Sequence, residues 1–267
     1  MTTVCRLGTF TMLATLLGGA LALSAPALAA PSATVDWQRR VIVARGQGAP
    51  DLTASSPAAA RIGAERAAQI DAFRNILETL KGVEVKGGQT AGQLMAHDSA
   101  LKASVEGLIR NFKVTDRKYF SDGGVELTVE MALDGKLAEM LLAPGTTPTR
   151  TAQEGTHDVG SGLVVVAKGL KITPALAPRI LDESGREVYG PDFVQPGALR
   201  DNGIAGYLTS ESAAEHSARV GDHPMTVKAI KAHGSDVVIS AADAAKLSDS
   251  HANLGFLSEG KVIIVTD

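Results

Sequence analysis

The clearest hydrophobic pattern in the chain is a strict alternation over residues 125–133. The apolar positions are Val125, Leu127, Val129, Met131 and Leu133, and the positions between them are Glu126, Thr128, Glu130 and Ala132. A period of two predicts a strand that buries one face. Asp122-Gly123 just before it is typical of a hairpin turn, so residues 112–120 are predicted to form the other arm.

Between Pro57 and Leu80 the apolar positions recur instead at three- and four-residue steps. This spacing predicts one long helix, with Ser56 as the N-cap and Gly82 just after the end. The predicted buried stripe consists of Ala67, Ile70, Phe73, Leu77 and Leu80. Small residues predict a close approach of the first half of the helix to a sheet, and they are Ala60, Gly63, Ala64, Ala67 and Ala68.

The rest of the first half fits an α+β arrangement. Residues 37–44 and 83–86 are predicted strands, and residues 99–111 are predicted to form a second, less regular helix. Helices are therefore expected to lie on a small mixed or antiparallel sheet.

The second half predicts an α/β arrangement with a mixed sheet. Three apolar runs are typical of strands buried on both faces, namely residues 162–167, 236–239 and 261–265. Residues 179–190 are predicted to form a hairpin with residues 183–185 at its tip. Residues 212–220 and 225–232 have helical character, and Ser240-x-x-Asp243 begins a predicted helix that runs through residue 247. The fold class predicted for the chain is α/β.

The composition changes at residues 144–160, which are rich in polar and turn-forming residues and show no apolar periodicity. This segment is a predicted linker. It separates two predicted domains, residues 34–143 and 161–267, each close to a common domain size. We expect such a linker to let the two domains engage separate partners.

The first 29 residues predict export. Arg6 precedes an almost wholly apolar run over residues 7–23, and Ala27-Leu28-Ala29 presents small residues where a signal peptidase cleaves. Residues 1–29 are therefore interpreted as a cleaved signal peptide, and a periplasmic or outer-membrane-associated location is expected. An uncleaved membrane anchor is the alternative. The single cysteine, Cys5, precedes the apolar run, so neither a lipid-attachment cysteine nor a disulfide is predicted.

The charge pattern gives no indication of nucleic-acid binding. The formal net charge is −3, and removal of Arg6 with the signal makes it one unit more negative. Neither sign forms a long block, and aromatic residues make up 4% of the chain. Because nucleic-acid binding requires a basic face and stacking side chains, no nucleic-acid partner is predicted.

Three motifs in the first half resemble a known family. They are Ala64-x-x-Ala67-Ala68-x-x-Asp71-Ala72-x-Arg74-Asn75-Ile76-Leu77-x-x-Leu80-x-Gly82-Val83, Val105-x-Gly107-x-Ile109-Arg110 and Asp122-Gly123-x-Val125-x-Leu127-x-Val129. In this order they resemble the LPP-type outer-membrane lipoprotein domain over residues 41–142, a family related to flagellar protein P and to the N-terminal domain of flagellar assembly protein T.

This resemblance implies an exported envelope protein without an assigned enzymatic site, and some relatives build or stabilise assemblies around the flagellar motor. The chain departs from the lipoprotein members because it lacks a lipid-attachment cysteine, so no direct lipid anchor is expected. The second half is similar to uncharacterised segments that follow this domain in other exported bacterial proteins. The runs that carry this similarity are Pro178-Arg179-Ile180-Leu181-Asp182 and Arg186-Glu187-Val188-Tyr189-Gly190.

Patterns that indicate catalysis are sparse. Glu126 and Glu130 share a strand face, but they have no third polar partner at a matched spacing and are interpreted as solvated surface. Gly46-x-Gly48 lacks the third glycine of a dinucleotide-binding fingerprint, and the chain has no Gly-Lys-Ser/Thr run of a phosphate loop. The Gly-x-Ser-x-Gly motif of serine hydrolases is also missing. No catalytic residue and no cofactor are predicted.

The remaining polar candidates also favour ordinary surface roles. The histidines are scattered at His97, His157, His216, His223, His233 and His251. A metal site made of His216, His223 and a remote carboxylate is the alternative to exposed histidines, and no metal is predicted. The charged cluster at the predicted hairpin tip consists of Asp182, Glu183, Arg186 and Glu187.

Taken as a whole, the sequence predicts an exported cell-envelope binding or assembly protein without catalytic activity. A flagellar or other outer-membrane-associated complex is the setting that the family resemblance implies. Envelope proteins or further copies of the chain are the expected partners. The alternatives are an envelope enzyme and a small-ligand binding protein, each acting through the second predicted domain.

Overall fold

The computed structural model describes residues 32–133, 135–142, 155–249 and 251–267. Ser32–Asp267 form one compact unit. The predicted signal peptide, its cleavage site and Cys5 lie outside the described residues, and so do residues 144–154 of the predicted linker. No helix of the described chain is both long and apolar enough to cross a membrane.

Helices and strands alternate along the described chain. The elements of the first half are β1 (Ala33–Asp36), β2 (Val41–Gly48), α1 (Pro57–Lys81), β3 (Glu84–Lys86), β4 (Gln89–Thr90), α2 (Ala91–His97), α3 (Ser99–Ile109), β5 (Lys113–Tyr119), β6 (Val125–Ala132) and α4 (Gly135–Leu141). Those of the second half are β7 (His157–Asp158), β8 (Leu163–Val166), β9 (Ile180–Leu181), β10 (Glu187–Tyr189), a 3₁₀ turn (Pro191–Phe193), α5 (Pro196–Asn202), β11 (Gly206–Leu208), α6 (Glu211–Glu215), β12 (Met225–His233), β13 (Asp236–Ile239), α7 (Ala241–Lys246), β14 (Ala252–Asn253), α8 (Gly255–Ser258) and β15 (Val262–Val265). The predicted α/β fold class is confirmed.

The first half is a four-stranded antiparallel sheet in the order β1-β2-β6-β5, with α1 packed across β2 and β6. The predicted hairpin is confirmed as β5 and β6. Along β6 the apolar positions from Val125 to Met131 are buried and the intervening ones are more exposed, as the alternation predicts.

The predicted strand over residues 37–44 is wrong in its first part. Residues 37–40 form a turn between β1 and β2, and Arg40 adopts a left-handed conformation with φ 53°. The Asp36 carboxylate accepts the Arg39 backbone N–H at 2.9 Å, which is a local bond that competes with an extended strand.

The close approach of α1 to the sheet is confirmed at Ala64 and Ala68, whereas Gly63 and Ala67 are exposed. Strand β2 contributes as much to this approach as the helix does. A Cβ atom built on Gly46 would lie 2.1 Å from the Ala68 carbonyl oxygen, and one on Gly48 would lie 1.9 Å from that of Ala64. The two glycines therefore let the helix backbone contact the strand backbone.

Of the predicted helix stripe, only Leu80 is fully buried. The buried residues of α1 are Ala64, Ala68, Ala72, Ile76 and Leu80. Ile70 is 55% exposed and Ala67 is exposed, while Phe73 and Leu77 are partly buried at the border of the core. The reason is the close contact of α1 with Gly46 and Gly48 of β2, because only the smallest side chains of the helix fit there.

Two polar residues of α1 bond to the part of β2 that extends beyond its pairing with β1. The Asp71 carboxylate accepts the Gln47 backbone N–H at 2.9 Å, and the Asn75 amide donates to the Arg45 carbonyl oxygen at 2.7 Å. Since buried or edge backbone groups need hydrogen-bond partners, these side chains replace a neighbouring strand. Both residues belong to the motifs that carry the family resemblance.

The second half is a seven-stranded mixed sheet in the order β10-β9-β13-β12-β8-β15-β11. The strands β12, β8, β15 and β11 are parallel neighbours, whereas β12 and β13 pair antiparallel. The predicted hairpin over residues 179–190 forms as β9 and β10. The larger core cluster lies against one face, and α6 contributes Ala214 to a smaller cluster with Val164 and Ile263.

The predicted helix over residues 225–232 is wrong, because this segment is strand β12. It pairs with β8 on one side and β13 on the other, and its apolar positions follow a period of two, with Val227 and Ala229 buried. The predicted helix over residues 212–220 is correct only up to residue 215, where α6 (Glu211–Glu215) ends. In β12, pairing with a strand on each side outweighs the helical propensity of the Met, Lys and Ala residues.

The two halves share backbone hydrogen bonds and core contacts. Leu176 N–H donates to the Glu84 carbonyl oxygen at 3.0 Å, and Ala177 N–H donates to that of Val85 at 2.8 Å. Leu176 belongs to the core cluster of the first half. The last part of the predicted linker contains β7, which pairs with β14. The domain boundaries stay a prediction, and the described halves pack directly on each other.

Candidate functional site

A large groove lies between helices of the two halves, with a cavity volume of about 850 Å³. We call it the helical groove. Its lining residues are Gln89, Leu94, His97, Asp98, Ala100, Leu101, Ser104, Lys136, Glu139, Met140, Leu141, Leu142, Pro191, Val194, Pro196 and Leu199. The walls are mainly apolar and the polar groups are few, which is the usual character of a ligand site in proteins.

One wall of the helical groove is fixed by the caps of α2 and α3. The Thr90 hydroxyl accepts the Gln93 N–H at 3.3 Å, and the Gln93 side chain accepts the Thr90 N–H at 2.9 Å. The Asp98 carboxylate then accepts the backbone N–H groups of Ala100 and Leu101 at 2.8 and 3.0 Å. These bonds start each helix at a set residue and so fix the rim of the groove.

The opposite wall is made by α4, α5 and the turn before α5. An ion pair joins the Glu139 carboxylate to the Arg200 guanidinium at 3.2 Å, which links α4 to α5 across the sequence. Lys136 lies one turn before Met140 on α4 and is exposed. Its ammonium has no ion-pair partner among the described residues.

A second cleft lies where β11 and β15 end, with a volume of about 490 Å³. It is lined by Val35, Asp36, Trp37, Gln38, Pro174, Tyr207, Leu208, Thr209, Thr266 and Asp267. The Gln38 amide donates to the Thr209 hydroxyl at 3.3 Å, and Trp37 packs edge-on against Tyr207 with ring centroids 5.5 Å apart. Carboxyl ends of parallel strands are common ligand sites, but this cleft has smaller and more polar walls than the helical groove.

Tyr207 is buried beside this cleft and has a structural role. Its hydroxyl donates to the Ala175 carbonyl oxygen at 3.0 Å and accepts the Ala175 N–H at 3.0 Å. Burial raises the pKa of Tyr207 well above its ordinary value, so the hydroxyl stays protonated.

Glu126 and Glu130 lie on the outer face of β6, and each has its own partners. Glu126 contacts the Lys118 ammonium at 3.3 Å and accepts a bond from the Gln47 amide at 3.1 Å, while Glu130 pairs with Arg39 at 2.7 Å. The bond from Gln47 holds the pKa of Glu126 below its usual range. A general acid needs the opposite shift, so this geometry fits surface ion pairs.

The charged cluster over residues 182–187 forms the tip of the β9–β10 hairpin. The nearly buried Asp182 carboxylate accepts bonds from the Ser184 hydroxyl at 2.6 Å and from the Arg186 N–H at 2.9 Å. These bonds, the Ser184 hydroxyl first, lower the pKa of Asp182. Asp182 therefore organises the turn, in which Gly185 has φ 82°.

The histidines do not form a cluster in the part of the chain that the structure describes. There, no three His, Cys, Asp or Glu side chains come together as metal ligands. His216 and His223 are both exposed, and the His216 Nδ1 lies 2.8 Å from the Ser212 carbonyl oxygen. Of the six histidines, only His97 lines the helical groove.

The sequence patterns did not indicate two arginines that are well anchored in the second half. Arg179 forms an ion pair with the buried Asp236, and hydrogen bonding to that carboxylate raises the pKa of Arg179. Arg219 donates to the carbonyl oxygens of Asn202, Gly203 and Gly260. Burial lowers the pKa of Arg219 to about 10. Both arginines join loops around the sheet and serve the fold.

Comparison with known proteins finds a relative for the second half of the chain. The family model of the second domain of Treponema pallidum Tp0624 matches residues 162–267. The match begins just before β8 and ends after β15, and so spans all seven strands of the mixed sheet. No curated protein matches the chain. The resemblance of residues 41–142 to the LPP-type lipoprotein domain stays a prediction.

The helical groove is a site that the sequence analysis missed. Only its α2 wall had a local signal, because Thr90-x-x-Gln93 is a capping-box pattern. The lining comes from three separate segments, residues 89–104, 136–142 and 191–199, and no local pattern indicates that they meet.

Proposed function

We propose that the chain is an exported cell-envelope protein that acts by binding and not by catalysis, with the helical groove as its binding surface. The observation that carries this proposal is the groove itself, whose volume of about 850 Å³ lies within the range of known ligand pockets. Its apolar residues include Leu94, Leu101 and Leu199, which are all partly exposed.

The state of the polar candidates supports binding over catalysis. The carboxylates weighed as catalytic groups, Glu126 and Glu130, have cationic or amide partners on an open sheet face. The Asp98 carboxylate on the groove rim is engaged as a helix cap. None of these three carboxylates faces the groove as a group free to exchange a proton, which is what an acid–base mechanism would require of it.

The cellular setting of the proposal rests on the sequence. Residues 1–29 have the features of a cleaved signal peptide, and residues 41–142 resemble a domain family of exported envelope proteins. Components of the envelope are therefore the proposed partners, and a flagellar or other outer-membrane-associated complex is the first place to test.

A groove-filling substitution tests the proposal. Ala100 is exposed and lines the groove, so Ala100→Trp should fill it without disturbing the core. Ala103→Trp is the matched control, because Ala103 is also exposed on α3 but does not line the groove. We expect Ala100→Trp to reduce retention of the tagged chain in the envelope fraction, and Ala103→Trp to retain it. Equal retention of the two variants at the level of the unmodified chain would contradict the proposal.

A further inference from the structure

We infer that the helical groove binds a single-chain anionic lipid, with the acyl chain along its apolar walls and the headgroup at Lys136. This inference rests on the proposed function and names the class of ligand that the groove takes.

The apolar part of the groove suits one extended hydrocarbon chain. Met140 and Leu142 contribute from α4 and the residue after it, Leu101 from α3, and Val194 and Leu199 from the region of α5. These side chains belong to three separate segments that meet at the helical groove. The volume of about 850 Å³ fits a ligand of drug-like size and is too small for a protein domain.

The charges on the rim favour an anion. The two carboxylates that line the groove are already engaged, since Asp98 accepts two backbone N–H groups and Glu139 pairs with Arg200. Lys136 is the cation that lines the groove, and it has no ion-pair partner among the described residues. An uncompensated cation beside engaged carboxylates is complementary to a negatively charged headgroup.

Lys136 lies where it can contact the headgroup of a lipid whose acyl chain lies along the apolar walls. Lys136 and Met140 are four residues apart on α4, so their side chains lie on the same helix face, one turn apart. A lysine stem can lie along apolar surface while its ammonium stays in water. The cation is thus placed at the end of the apolar wall, where the polar end of an amphiphile would emerge.

Binding of dodecanoate to the purified full chain tests the inference, with dodecanol as the uncharged comparison. Displacement of a fluorescent fatty acid reports the affinity. We expect saturable binding of dodecanoate, a loss of at least about tenfold in Ala100→Trp, and little change in Ala103→Trp. Ser104→Phe is a second groove-filling variant in case Ala100→Trp fails to fold, because Ser104 is also exposed in the groove wall.

The headgroup contact has its own control. Lys136→Glu should weaken dodecanoate binding by about tenfold and leave dodecanol binding within about twofold. Lys168→Glu changes the net charge equally at an exposed position outside the groove, and should leave both affinities unchanged.

Three outcomes would overturn the inference. They are no saturable dodecanoate binding, equal loss of dodecanoate affinity in Lys136→Glu and Lys168→Glu, and dodecanoate binding that both groove-filling variants leave unchanged. The last pattern would place the bound lipid elsewhere on the chain. If dodecanoate does not bind while Ala100→Trp still reduces envelope retention, the lipid inference fails and the proposed binding function stands.

Discussion

Substitution of Gly46 by alanine is the most direct test of how α1 packs on β2. The new Cβ would lie 2.1 Å from the Ala68 carbonyl oxygen, 2.4 Å from the Ala72 nitrogen and 2.7 Å from the Ala72 Cβ. Carbon atoms in contact prefer separations of about 3.5–4.0 Å, so the helix must retreat by about 1 Å or more. Gly46 has no left-handed φ, so the penalty comes from lack of space and not from the backbone conformation.

The expected loss of stability depends on which atoms the new Cβ would meet. Overpacking a core costs about 1–3 kcal/mol when side chains can adjust, but here helix backbone stands in the way. A retreat of α1 also opens a gap along its buried alanines, and a gap of about 0.5–1 Å forfeits roughly a quarter to a half of each contact energy. We expect Gly46→Ala to lower the free energy of unfolding by about 3 kcal/mol. In a chain of this size that corresponds to a decrease in Tm of roughly 6–12 °C.

Gly63→Ala is the matched control, because the same substitution is made in α1 at a position with no heavy atom within 4 Å of the new Cβ. Alanine is the better helix former, so this variant should gain up to about 0.5–1 kcal/mol. Urea unfolding, with equal m values for the three proteins, measures both effects. A Gly46→Ala variant within about 0.5 kcal/mol of the unmodified chain would refute the proposed contact between helix and strand backbones.

Three further predictions concern the core, the hairpin tip and the anchored arginine. Ile76→Ala should cost about 2–5 kcal/mol and Ile70→Ala less than about 0.5 kcal/mol in urea melts, because Ile76 is fully buried and Ile70 is 55% exposed; the reverse order would restore the stripe predicted from the sequence. The pKa of Asp182 is lower in the folded chain than in the unfolded chain, where an aspartate has a pKa of about 3.9, so the ionised carboxylate stabilises the fold above that pH. This stabilisation is lost as the pH falls through the folded pKa, so the difference in free energy of unfolding between the unmodified chain and Asp182→Asn should narrow from pH 7 to pH 3. A difference that stays constant over this range would contradict the prediction. Arg219→Ala leaves three backbone carbonyl groups without their donor and should lower the free energy of unfolding by about 3 kcal/mol, and Arg219→Lys should lose less; an unchanged urea midpoint in Arg219→Ala would show that the carbonyls find other partners.

The elements with strong local signals could be predicted from the sequence. The β5–β6 hairpin follows from the Asp122-Gly123 turn and the alternation after it, and the start of α7 follows from Ser240, whose hydroxyl accepts the Asp243 N–H at 3.1 Å. The start of α1 likewise follows from Ser56, whose hydroxyl accepts the Ala59 N–H at 3.2 Å. Caps and tight turns are local interactions, so their residues determine them without reference to the rest of the fold.

The features that depend on distant partners could not be predicted in the same way. The buried face of α1 is determined by Gly46 and Gly48 of β2, because only small side chains of the helix fit against these two residues. Strand β12 has residues that favour a helix, and only its pairing with β8 and β13 makes it extended. The helical groove exists because α5 lies beside α4, a contact between segments on opposite sides of residues 143–154.

The hydrogen bonds between β3 and residues 176–177 also constrain the order in which the protein can acquire its structure. A chain emerges from the ribosome N-terminus first, so β3 is complete long before Leu176 and Ala177 are made. Until then the core of the first half lacks one of its own buried side chains, that of Leu176. Contacts of such long sequence separation form late and slow the folding rate, and the intermediate exposes apolar surface. The newly made first half therefore keeps this apolar surface exposed until about thirty-five further residues, 143–177, have been synthesised.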